Sequence, residues 1–293
     1  MTTIIAGFLL TTIDGSFGFT TIFIIAIAAG IVSLFFLRRI PDVPFRDGHY
    51  KWSTVKEFRN ELHNNKNFRR FVFYIAAFNL AVYIASPFFV VSMLQDFKIG
   101  YEMYAIITAV SIVATVVSQP YWGRLADRFG DRAVLAATSV LATLVPLLWL
   151  FVKEPIGMAA VLIFSSFGWA GFDLATFNYL LGSTSHKPSY IANYSMLTGM
   201  AIFAGPLIGG ALAEAGFSLM MFSGLSVLFL VSFIFRAIFS ALLVPGLKEV
   251  RIARHAPPVP ILLWKSMTVY PVRFFMHELS VAQHYIYHRS RNR

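Results

Sequence analysis

Seven stretches of this 293-residue chain are each about 20 or more mostly apolar residues long, and that fixes the fold class before any other feature is read. They are Phe17–Leu37, Phe71–Leu94, Met103–Trp122, Ala133–Val152, Ile156–Gly182, Tyr190–Leu212 and Phe217–Leu243. As helices, each reaches across a hydrocarbon core of about 30 Å. Inside hydrocarbon every backbone polar group needs an internal partner, and a helix supplies one locally. The expected fold is therefore all-α, a polytopic integral membrane bundle. Composition agrees: 57% of residues are hydrophobic and 13% are charged, against about 25% charged in soluble domains. There is no cysteine, so neither a disulfide framework nor a thiolate metal site is expected. The net charge of +10 would suit nucleic acid, but the charges sort by loop, which is how membrane topology is written. The bilayer is the implied partner, and nucleic acid is not.

The sorting alternates along the chain. Arg38–Arg70 holds nine Lys or Arg, Gly123–Arg132 holds three Arg, Gly182–Ser189 holds Lys187, and the tail from Lys248 holds eight basic residues. Between them, Gln95–Glu102 and Lys153–Pro155 carry one Lys each and Ala213–Gly216 carries none. The positive-inside rule places the basic segments in the cytoplasm, in a plasma-membrane protein. Pro41, Pro44 and Gly48 break the first basic loop, and Thr54–Arg70 can form a short surface helix.

Residues 123–132 read GRLADRFGDR, a short charged hairpin between two spans. A positive-inside turn needs only Arg124, Arg128 and Arg132. Gly123 allows a helix end or close approach, and Gly130 allows positive φ. The order G-x-L-A-D-R-x-G-x-R is more specific, and it resembles the loop signature of the major facilitator superfamily. A second run, Gly205-Pro206-Leu207-Ile208-Gly209-Gly210, resembles the glycine-rich pattern that antiporter members carry in their fifth helix and echo in the eleventh. Small residues there permit close helix packing, and Pro206 bends the helix, so packing and hinge readings stand side by side.

The resemblance covers roughly residues 5 to 246. It implies two six-helix repeats joined by a cytoplasmic loop, with 71–246 as the second repeat, 38–70 as the central loop and 1–37 as a remnant of the first. Residues 247–293 are then a basic, amphipathic cytoplasmic tail. Met1–Ile13 is too short to span, Asp14–Gly18 reads as a turn, and topology puts Met1 in mid-bilayer. The expectation is thus a truncated chain. A weak repeat agrees, GFLL then GFTTIF near one end and GALA then GFSLMMF near the other. In the family the signature switches conformation: its Asp caps a helix of the opposite half and its Arg pairs with an acid. Carried over, Asp127 caps and Arg128 pairs. The helix to be capped is incomplete here, and no acid occurs between Leu174 and Ala213 to meet Arg128. Asp131 beside Arg132 offers a local pair instead.

Asp173 is the one acid inside a span. A carboxylate in hydrocarbon must be protonated, paired or turned toward water. Ser166, Trp169, Asp173 and Thr176 share a helix face, and Asn79, Tyr83 and Ser86 share another, with Pro87 as a kink. Gln119 precedes Pro120, and Asn193 and Tyr194 open a further span. These faces either line a central solute or proton pathway or serve as structural hydrogen-bonding partners. Arg236, seven residues before Leu243, is expected to snorkel to the inner interface. In the tail, Ile261–Arg289 reads as an amphipathic helix dipping Trp264, Phe274, Phe275 and Tyr285 into the inner leaflet, or as a loose tail. His277, His284 and His288 have no acid or thiol beside them to complete a metal site.

The implied function is secondary transport of a small solute by alternating access, with a proton as a possible coupling ion. The chain would act as a fragment of, or partner in, a twelve-helix transporter, pairing with itself or with a separate first half. The alternative is a non-transporting membrane scaffold or inactive remnant. No G-x-x-x-x-G-K-[ST] loop is present, and no catalytic residue or cofactor is implied.

Overall fold

In a computed structural model of the chain, residues 16–39, 55–184, 188–215, 224–250 and 257–267 are described. They form helices only: α1 (Ser16–Leu37), α2 (Val55–Asn64), α3 (Lys66–Val91), α4 (Tyr101–Phe129), α5 (Asp131–Trp149), α6 (Pro155–Ser183), α7 (Pro188–Glu214), α8 (Leu225–Leu243) and α9 (Val259–Met267). Seven of them, α1 and α3 to α8, are long and apolar enough to cross a membrane. The stub before Ser16 and the tail histidines lie outside the described residues, as do Phe274, Phe275 and Tyr285.

The helices outrun their apolar cores at the charged ends. The stretch expected as one surface helix divides at Asn65. There α2 ends, and the Asn65 side chain accepts the Phe68 N–H at 3.0 Å to cap α3. Lys66–Arg70 therefore belongs to α3, the second of the spans. The charged hairpin is shorter than its sequence suggests: α4 continues through Phe129 and α5 begins at Asp131, so Gly130 alone is the turn. Its φ of 90° and ψ of 159° are conformations essentially confined to glycine. Pro87 removes one backbone donor within α3, and the helix ends in a widened turn over Ser92–Asp96.

The dominant packed pairs are α3 with α7 and α8, α6 with α4 and α5, and α5 with α8. Exchanging α3, α4, α5 for α6, α7, α8 leaves this set unchanged. The bundle is thus two three-helix units, and the odd helix count gives them opposite orientation in the bilayer. In cross-section the order is α4–α6–α5–α8–α3–α7, an arc whose tips are α4 and α7. Aromatic contacts close the middle of the arc, with Phe78 of α3 stacked on Phe172 of α6 at 4.9 Å between centroids. α1 is apolar on every face and exposed along most of its length, and its Phe19 ring lies 6.2 Å from the Tyr101 ring, centroid to centroid.

Glycine sets the tightest crossings. A Cβ on Gly171 would lie 2.5 Å from the Trp122 ring and 2.7 Å from Thr138, where α6 meets α4 and α5 together. Trp122 is fully buried there, and its Nε1–H donates to the Phe167 carbonyl at 2.7 Å. Where α7 crosses α3, a Cβ on Gly205 would lie 2.6 Å from that of Tyr83, and one on Gly209 would collide with the Ile84 carbonyl. Gly210 has open space at the same position, and Pro206 is half-buried within the helix.

Candidate functional site

Three polar regions stand out on this apolar scaffold. The first is the Gly130 end of the bundle. Arg124, Asp127 and Arg128 are exposed on the last turns of α4, and the Arg128 guanidinium sits 5.1 Å from the Phe129 ring centroid. Gly123 lies inside the helix, where an added Cβ would meet only Leu174 at an ordinary 3.9 Å, and does not mark a helix end. Asp131, fully buried in the first turn of α5, accepts from the Asn178 side chain of α6 at 3.1 Å.

A carboxylate missed by sequence reading completes this end. Glu249 lies in the segment after α8, and its Oε2 accepts the Arg132 backbone N–H at 2.9 Å, capping the start of α5. Residues 245–249 form a strap held from several helices. Arg132 donates through its guanidinium to the Pro245 carbonyl at 3.2 Å, and Arg70 donates to the Gly246 carbonyl at 2.6 Å. Asn67 exchanges two hydrogen bonds with the Lys248 backbone, and the Tyr179 hydroxyl donates to the same Lys248 carbonyl at 2.6 Å. Nothing in the local sequence PGLKEV signals this role, because the partners lie 69 to 181 positions away.

The second region is the face of α6 turned away from the core. Ala170, Gly171, Phe172 and Ala175 are buried, whereas Asp173 is exposed and Ser166, Trp169 and Thr176 are half-buried. Asp173 lies within electrostatic reach of Tyr194 on α7, so this face looks along the inside of the arc. Trp169 packs edge-on against Phe172 at 5.2 Å and tilts toward Phe78 of α3 at 6.4 Å. Asn79 is turned back on its own helix, donating to the Ile75 carbonyl at 3.0 Å. Tyr83 is half-buried at the α3–α7 crossing, Asn193 is half-buried on α7, and Gln119 is exposed on α4. The packing brings Asp173 near Tyr194 of α7 and Trp169 near Phe78 of α3, while Gln119 is exposed on α4, at one end of the helix order.

The third region corrects an expectation. Arg236 does not snorkel; it is 2% exposed. Its Nη1 donates to the Ala142 carbonyl of α5 at 2.8 Å and its Nη2 to the Val82 carbonyl of α3 at 3.4 Å. Pro146 explains the first bond. Having no N–H, it leaves the Ala142 carbonyl without its helical donor, and the guanidinium takes that place. Ser232 and Ser240 flank Arg236 at four-residue intervals. Ser232 donates to the Ala81 carbonyl at 2.6 Å, and Ser240 lies 3.5 Å from the Tyr74 hydroxyl, which also meets Ser139 at 2.5 Å. This polar stripe bolts α8 to α3 and α5. Its spacing, Ser232-Arg236-Ser240 in an otherwise apolar helix, is the signal that could have revealed it.

Among the described residues, no group of His, Asp and Glu is arranged to hold a metal ion. The family described as Major Facilitator Superfamily matches residues 71–286. Multidrug resistance protein 2 of Bacillus subtilis is 26% identical over 202 residues, covering 65% of this chain and 48% of that protein. The chain thus spans about half the length of this curated relative. No solved structure matches.

Proposed function

The chain belongs to the Major Facilitator Superfamily, and on that premise we propose that α3–α8 forms one wall of a solute path and works by rocking against a facing six-helix bundle. Residues 71–246 act as the family's second repeat, 38–70 as the central loop, 1–37 as a portion of the first repeat and 247–293 as the tail. The facing bundle comes from a first half on the same or a separate chain, or from a second copy. The basic loops and the tail face the cytoplasm of a plasma-membrane protein.

The observation that carries this reading is Asp173. A carboxylate on a membrane-spanning helix is costly and is ordinarily turned to a polar interior or water path. Here it is exposed on the inner side of an arc, beside Trp169 and across from Tyr194. A carboxylate flanked by aromatic rings suits an amphipathic, cationic solute, and the name of the Bacillus subtilis relative points the same way. Asp173 holds either the solute's cationic group or a coupling proton.

The test is transport of an amphipathic fluorescent cation in vesicles that hold the chain with its facing half, across a range of pH and with an imposed proton gradient. Asp173→Asn is expected to lower the rate at least tenfold or to flatten its pH dependence. Unchanged rate and pH profile would overturn the role of Asp173, and absence of gradient-driven transport by the unmodified protein would overturn the reading as a whole.

A further inference from the structure

A cavity of about 680 Å³ opens between α5 and α8, on the far side of the bundle from Asp173 and the arc tips. That volume falls within the range of about 300–1,000 Å³ typical of ligand sites. Its walls are built by small side chains on the two helices, Ala133 and Ala136 facing Ala237 and Ala241. Its third wall is α9, which packs against α5 and buries Leu262 completely. The lining is mostly apolar, with the hydroxyls of Thr143 and Ser240 along its walls and Arg132 at one end.

Three observations identify what such a cavity would hold. It lies beside exposed apolar side chains, Leu242 on α8 and Ile261 and Trp264 on α9, so it opens toward lipid and not toward the solute face. Its polar end carries Arg132, whose backbone N–H is capped by the Glu249 carboxylate. Arg132 spends one guanidinium nitrogen on the Pro245 carbonyl, while its Nε is buried with no hydrogen-bond partner among the described residues. A phosphate oxygen accepts from a guanidinium more strongly than a neutral acceptor does. Finally, the apolar length of the groove runs from the Gly130 end of α5 toward its middle, Ala133 to Leu144, parallel to an acyl chain that enters from the interface.

We infer that this groove is a binding site for one anionic phospholipid, its acyl chain between α5 and α8 under α9 and its phosphate at Arg132. The ligand's charge follows from Arg132, and its tail from the mostly apolar walls. With the Gly130 end in the cytoplasm, as proposed above, the lipid would belong to the leaflet richest in anionic headgroups. The site needs a membrane-embedded chain but no transport activity, so its test is independent of the solute path. A lipid wedged against the strap would also hold α9, α5 and α8 together at the end that carries the family signature.

The experiment is native mass spectrometry of the full chain, purified and delipidated, then titrated with phosphatidylglycerol or with phosphatidylcholine of the same acyl chains. The unmodified chain is expected to retain one phosphatidylglycerol at collision energies that strip phosphatidylcholine. Ala241→Phe, which fills the groove from the α8 wall, and Val259→Phe, which fills it from α9, should each abolish that retention with helix content unchanged by circular dichroism. Arg132→Gln should retain the two lipids equally and weakly, with at least a tenfold loss of phosphatidylglycerol preference. Equal retention of both lipids by the unmodified chain would overturn the inference. So would undiminished phosphatidylglycerol retention in either folded groove-filling variant.

Discussion

The bond between Arg236 and the Ala142 carbonyl exists because of Pro146, and that dependence is measurable. Arg236→Met keeps an elongated apolar side chain but removes every donor. The Ala142 carbonyl, already deprived of the N–H at position 146, is then stranded in an apolar interior, a penalty of about 1–3 kcal/mol. Relief of the buried guanidinium's own desolvation works in the opposite direction and is of comparable size. The single substitution therefore reports a difference of two large terms, and a double-mutant cycle isolates the one of interest. In a Pro146→Ala background the restored N–H serves the Ala142 carbonyl, so Arg236→Met strands nothing there. The expected coupling is about 1 kcal/mol, within the range of hydrogen bonds in bilayer proteins, which average about 0.6 and reach about 1.7 kcal/mol. The assay is reversible unfolding in mixed micelles of dodecyl maltoside and dodecyl sulfate, followed by tryptophan fluorescence, for the four chains of the cycle. If the two substitutions add to within about 0.3 kcal/mol, the guanidinium does not replace the missing donor and the reasoning fails.

Three further perturbations test the packing that positions the site. Gly130→Ala places a side chain at φ 90° and ψ 159° and is expected to cost about 1–3 kcal/mol in the same unfolding assay; an unchanged midpoint would mean that the α4–α5 turn is not held in that conformation. Gly209→Leu drives a side chain into the Ile84 backbone and should cost at least about 1–3 kcal/mol, whereas Gly210→Leu, with open space before it, should stay within about 0.5 kcal/mol of the unmodified chain. Glu249→Gln keeps an acceptor for the Arg132 N–H but loses the charge at the start of α5. It should cost about 0.3–1 kcal/mol and Glu249→Ala about 0.5–2 kcal/mol; equal effects would show that the carboxylate acts through charge alone and not as a cap.

Apolar run length and loop charge alone determined that this chain is a helical membrane bundle, because hydrocarbon demands that the backbone satisfy its own polar groups, and unbroken apolar runs of about 20 residues match a spanning helix and not a spanning strand. The positions of Gly130, Gly205, Gly209 and Asp173 were likewise legible, since each is an unusual residue for its context. Tertiary structure decided what those residues meet. Periodicity places Asp173 on a helix face, but only the packing of α6 between α4 and α5 turns that face to the inside of the arc. A lone arginine near a helix end reads as a snorkelling side chain until a proline on another helix is found to have vacated a carbonyl for it. Glu249 reads as part of a basic tail until the chain folds it over the start of α5, 117 positions from the N–H it caps. Hydrophobic pattern is local and survives in one dimension. A hydrogen-bond partner is chosen by proximity in three, so the bolts and caps of this bundle appeared only once its helices were set side by side.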